Sequence, residues 1–146
     1  MPPSSPDAPS SAPPFPDGLG GVASLLDIEL TEHGPERVVA TMPVTPNHHQ
    51  PFGTLHGGVS VVLAETVASV GAYLAAPADR GAAGLEVNAN HVRPVRDGRL
   101  AAVGTPLHTG RSTHVWDVKI RRAADEALVC VSRCTIAIVD RSDAPS

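Results

Sequence analysis

The chain has 146 residues, 42% hydrophobic and 18% charged, with a formal net charge of −4. That composition suits one domain with a packed core, and it leaves no broad basic footprint for nucleic acid. Aromatic residues make up only 3%, so base-stacking platforms are excluded and the core must be built from Val, Ala, Leu and Ile.

In chain order, Met1 to Asp17 hold seven prolines among Ser and Ala. Such a segment buries too little to offset the entropy of ordering and reads as a disordered tail. The folded domain is expected from Gly18 to Asp140, with Arg141 to Ser146 frayed. Ala23 to Glu32 reads as a helical turn and then a strand, ended by His33-Gly34-Pro35. Arg37 to Val44 is a second strand. Thr45 to Thr54, with Pro46, Asn47, Pro51 and Gly53, is loop.

The strongest periodic signal follows, from His56 to about Ala75. Val59, Val62, Leu63, Thr66, Val67 and Val70 recur at helical spacing. Gly57-Gly58 opens the helix and Pro77 stops it. A helix this apolar must be covered nearly all round. Four strand-like runs come next: Gly84 to Arg93, Arg99 to His108, His114 to Arg122 and Leu128 to Val139. The third alternates, with His114, Trp116, Val118 and Ile120 on one face and Asp117, Lys119 and Arg121 on the other. Asp97-Gly98 and Ala123 to Glu126 are the expected hairpin turns. The result is an α+β domain, an antiparallel sheet wrapped around one long central helix.

No apolar run reaches the ~20 residues needed to cross a bilayer. The chain start lacks the pattern of a secretory signal. Cys130 and Cys134 lie on one strand, roughly 13 Å apart at strand rise. That is too far for a disulfide, and no second pair completes a zinc site. They read as small apolar residues on one sheet face, and a cytoplasmic protein is expected. His48, His49 and His56 lack a paired ligand motif, so no metal site is expected.

Glu65 is the unusual residue. A carboxylate on a nearly apolar helix needs a partner or a function, because burying it unpaired is costly. Ser69, one turn on, lies on the same face and can hydrogen-bond it. At the helix start, backbone N–H groups lack internal partners and suit a developing oxyanion. Gly57 allows close approach there. Gly57 and Glu65 are eight residues apart, about 12 Å along the axis. One carbonyl cannot touch both, so if both act on one carbon they come from two copies of the helix. That predicts a dimer with composite sites.

The stretch QPFGTLHGGVSVVLAETVASVGAYL, with GLEVNANHVRPVRDGRL and PLHTGRSTHVW further on, resembles the hotdog-fold acyl-CoA thioesterases. It is most similar to the branch acting on 1,4-dihydroxy-2-naphthoyl-CoA, in menaquinone synthesis, and on 4-hydroxybenzoyl-CoA. The resemblance runs from about Val22 to Val139. It implies Glu65 as the catalytic carboxylate and Gly57 as the residue whose N–H polarises the thioester carbonyl. Gln50 would position the attacking group or the carbonyl, with His56 beside the oxyanion glycine. Ser69 would hold water or the carboxylate. His91 would line the acyl pocket, and Gly110, Arg111, Ser112 and Thr113 would contact coenzyme A. It further implies a homotetramer of two dimers and no cofactor, coenzyme A being part of the substrate. Glu65 would either attack the carbonyl or activate water. A non-catalytic acyl-CoA-binding module would not need Glu65. A hotdog hydroxyacyl dehydratase would carry a Gly-His-Phe-Pro type loop, which Asn47 to Thr54 is not.

Overall fold

The computed structural model describes Phe15 and residues 18–141. The expected tail and frayed end lie outside the described residues, apart from Phe15 and Arg141. Both of these meet Tyr73. The Phe15 and Tyr73 ring centroids are 5.7 Å apart, and the Arg141 guanidinium sits 5.5 Å from the Tyr73 centroid while donating to its hydroxyl at 3.0 Å.

A short helix α1 (Gly21–Leu25) leads into strands β1 (Glu29–Glu32) and β2 (Val38–Pro43). The expected loop follows and includes one 3-10 turn, Pro46–His48. The long helix α2 spans Gly57–Ala75. Strands β3 (Arg80–His91), β4 (Arg99–Thr109), β5 (Thr113–Arg122) and β6 (Leu128–Asp140) complete the domain. All pairings are antiparallel in one six-stranded sheet, ordered β1-β2-β4-β5-β6-β3. The sheet wraps α2, which touches β2 to β6. This is the expected α+β hotdog architecture. By length and mean hydropathy, 1.6 over its most apolar window, α2 alone would suit a bilayer. The sheet covers one side of it, and 44% of that window is buried.

Two expectations are corrected. Asp97-Gly98 does not join a β3–β4 hairpin, because β3 pairs with β6 along its whole length and the chain crosses the sheet to start β4. Gly98 does turn there, with φ +82°, and its carbonyl accepts from the Val44 N–H at 2.8 Å. The covered face of α2 keeps Leu63, Val67 and Val70 of the expected set but leaves Val59, Val62 and Thr66 half-buried. Its buried residues are Ser60, Leu63, Ala64, Val67, Ala68, Val70, Gly71 and Ala72. Small residues win because the sheet comes close. A Cβ on Gly71 would overlap the Trp116 ring, and one on Gly104 would meet the Val67 side chain at 2.5 Å. Trp116 is fully buried and fills the space that Gly71 leaves.

The alternation in β5 holds, with His114, Trp116, Val118 and Ile120 inward. Cys130 and Cys134 are free and buried. Burial is the main cause pushing the Cys134 thiol up to about 11, so it stays a packed thiol rather than a thiolate.

Candidate active site

Glu65 projects from the half-buried side of α2 toward β3. Its carboxylate lies directly against the backbone of Gly84, in space that a Cβ at position 84 would take. β3 is irregular here: the register slips between Gly84 and Glu86, and Leu85 bulges out, 62% exposed. A glycine beside a bulge brings the carboxylate against the strand without a clash. Among the described residues Glu65 has no hydrogen-bond or ion-pair partner. The bond to Ser69 that the spacing allows is not formed. Ser69 instead lines a pocket of about 350 Å³ with Thr66, Val70, Tyr73, Leu19 and Phe15 among its walls. Apolar and aromatic groups dominate that lining.

A second cluster sits at the start of α2. His56 is the N-cap, and its Nδ1 accepts from the Gly58 N–H at 2.9 Å. This bond caps one open donor and leaves the ring proton on Nε2. The Gly57 N–H has no acceptor among the described residues. The His91 ring, from the end of β3, lies over Gly57 so closely that a Cβ there would be 2.8 Å from His91 Nε2. A Cβ at 57 would therefore need the exposed His91 ring to turn aside. Gln50 donates to Thr54 Oγ1 at 2.8 Å and accepts from the Phe52 N–H, which folds its side chain into its own loop. Gln50, Gly57, Ser60 and His91 all line a cleft of about 370 Å³.

The structure thus groups Gln50, His56, Gly57 and His91 at one end of α2 and sets Glu65 with Ser69 farther along it. The Gly110–Thr113 turn is remote from the helix start. It is closed by Gly110 N–H donating to Thr113 O at 2.8 Å. Gly110 and Arg111 line a cleft of about 460 Å³ with Ala75 and Pro77, at the opposite end of α2. Nearby, burial and then the charge of His108 hold His114 below its ordinary value. Among the described residues no group of His, Cys, Asp and Glu could hold a metal ion.

Sequence reasoning missed three residues here. Ser60 was visible as a polar residue one turn after Gly57 but was given no role. Gly84 was read as a strand start rather than as the seat of Glu65. Phe15, placed in the tail, is a pocket wall.

The "Thioesterase superfamily" family model matches residues 52–129. A 1,4-dihydroxy-2-naphthoyl-CoA hydrolase from Escherichia coli K12 is 47% identical over 124 residues, covering 84% of this chain and 89% of that one. Another hydrolase of the same name, from Listeria monocytogenes, is 45% identical over 118 residues, covering 81% and 95%. A solved thioesterase structure from Haemophilus influenzae superposes with a TM-score of 0.79 at 43% identity, covering 84% of this chain and 85% of that one. With the sheet-wrapped helix and the matched motif on it, the chain belongs to the thioesterase superfamily and is a hotdog-fold thioester hydrolase.

Proposed function

We propose that this chain hydrolyses an aryl-CoA thioester, with 1,4-dihydroxy-2-naphthoyl-CoA the first candidate, at sites shared between two copies. The observation that carries the reading is the separation of two half-sites along one helix and one strand. Gly57 faces His91 at one end of β3, and Glu65 faces Gly84 toward the other. The free edge of β3, twelve residues long, has no partner strand among the described residues. Such an edge is a template for a second strand.

Pairing β3 with a second β3 antiparallel, with Gly84 of each copy level with His91 of the other and Leu85 left out at its bulge, puts the two-fold axis at Asn88. Each Glu65 then approaches the other copy's Gly57. The same pairing would cover Leu85 and the half-buried stripe Val62, Thr66 and Tyr73.

In this arrangement the carbonyl oxygen accepts from the Gly57 N–H, with the helix dipole behind it. Glu65 of the other copy either takes a proton from water as water attacks the carbonyl carbon, or attacks that carbon itself to give an anhydride that water opens. Both routes release CoA as a thiol and the acyl group as an acid. The apolar and aromatic pocket beside Ser69 and Tyr73 supports an aryl group next to Glu65. Coenzyme A is substrate, and no cofactor enters either route. The same reading takes the assembly to a homotetramer of two such dimers in the cytoplasm.

Thiol release across hydroxynaphthoyl-, benzoyl- and aliphatic CoA thioesters tests the reading. Turnover is expected to be fastest on the naphthoyl or benzoyl substrates. No turnover on any of them, with CoA still bound, would replace hydrolysis with ligand binding. A single turnover in ¹⁸O-water separates the routes. Unlabelled oxygen in the first product, with label left in Glu65, marks direct attack with the anhydride opened at the Glu65 carbonyl; general base catalysis puts label in the product and none in Glu65.

A further inference from the structure

Ser60 is 1% exposed, and its Oγ has no hydrogen-bond partner among the described residues. A buried hydroxyl left unpaired is costly and calls for a reason. Helical serine and threonine usually close this gap by donating to the carbonyl four residues back. Thr66 does so on the same helix, to Val62 O at 2.6 Å. At Ser60 the equivalent acceptor is His56 O, and it is already taken by the N–H groups of Val59 at 3.0 Å and of Ser60 itself at 3.4 Å. The crowded first turn leaves the hydroxyl free.

Its position gives that freedom a use. Ser60 follows Gly57 by three residues, so the two share a face, and helical side chains tilt toward the N-terminus. Both line the cleft that also holds Gln50 and His91. The second open donor in this cleft is the Gly57 N–H. We infer that the Ser60 hydroxyl is a second hydrogen-bond donor to the thioester carbonyl oxygen, beside the Gly57 N–H. The carbonyl reaches both donors as the exposed ring of His91 turns aside. As negative charge builds on the oxygen, the hydroxyl bond shortens and strengthens, so it favours the transition state over the bound substrate. This inference rests on the proposed hydrolysis at the helix start.

The test is Ser60→Ala, with Ser60→Thr beside it, assayed by thiol release on the best thioester and by thermal unfolding. Ser60→Ala is expected to lower kcat about 10- to 100-fold, with KM within about threefold of the parent. Its unfolding midpoint should equal or exceed that of the parent, because an unpaired buried hydroxyl has been removed. Ser60→Thr keeps the hydroxyl and should recover most of kcat. A purely structural serine would give the reverse pattern, with activity lost only in step with the midpoint. A kcat for Ser60→Ala within twofold of the parent, while Glu65→Ala is inactive, would overturn the Ser60 assignment and leave the proposed function standing. A parent protein with no turnover on any thioester would overturn both.

Discussion

The two faces of α2 do different work. The inner face, Leu63, Ala64, Val67, Ala68 and Gly71, is fully covered by the sheet and packs against Trp116 and Gly104. The outer stripe, Val62, Glu65, Thr66, Ser69 and Tyr73, is half-open in the single chain. The inner face is bound by steric limits, where one extra methyl group is felt. The outer stripe holds the Glu65 carboxylate and the Ser69 hydroxyl, neither of which has a hydrogen-bond partner among the described residues. Beyond the first turn of the helix, stability and chemistry are thus assigned to opposite sides, and changes on each side should separate them.

The largest expected effect is on the outer stripe. Glu65→Ala should lower kcat roughly 100- to 10,000-fold, while its unfolding midpoint stays near the parent value. Near-parent turnover would sink the role given to Glu65. On the inner face, Gly71→Ala puts a Cβ into the Trp116 ring. It should cost about 1–3 kcal/mol of stability in chemical denaturation, with kcat of the folded fraction unchanged. Gly84→Ala tests the seat of the carboxylate. Its Cβ meets the far end of a flexible side chain, so stability should barely move. The displaced carboxylate should lower kcat about tenfold, since small misplacements of a reacting group are costly.

The smallest effect concerns pH and lies away from both faces. Burial, aided by His108, holds the folded His114 below its ordinary value of 6.5. The unfolded chain therefore takes up this proton first as pH falls. The contribution is whole above about pH 6.5 and is lost as pH drops through the folded value. His114→Gln should flatten the fall of the unfolding midpoint between neutral and mildly acid pH. An unchanged slope would remove His114 from the account.

Much of this division could be read from the sequence, and the failures have physical causes. The helix and the inward face of β5 follow from spacing alone. Spacing over the large apolar residues places Leu63, Val67 and Val70 on the buried side of the helix but misses the small residues there. Packing adds Ala64, Ala68 and Gly71 to that face, and Trp116, from another strand, fills the space that Gly71 leaves. The Asp97-Gly98 turn suggested a hairpin, but a turn signal does not say which strand is the neighbour, and β3 goes to β6. Glu65 stood out from its apolar surroundings. Its seat against Gly84 and the unpaired hydroxyl of Ser60 depend on long-range approach and on competition for one carbonyl, which local pattern does not encode.

The central claim is that Gly57 and Glu65 act on one carbonyl from different copies of the chain. Intersubunit complementation tests it most directly. Gly57 is the first helical residue, where proline is tolerated, so Gly57→Pro removes the donor N–H while keeping the helix start. Gly57→Pro and Glu65→Ala are each expected to be inactive as pure proteins. In a dimer containing one of each, one of the two sites keeps both native groups. Random mixing by co-expression should therefore restore about one quarter of parental activity, as follows from two-fold symmetry. A mixture no more active than its two inactive parents, with mixed dimers demonstrably present, would contradict the shared site.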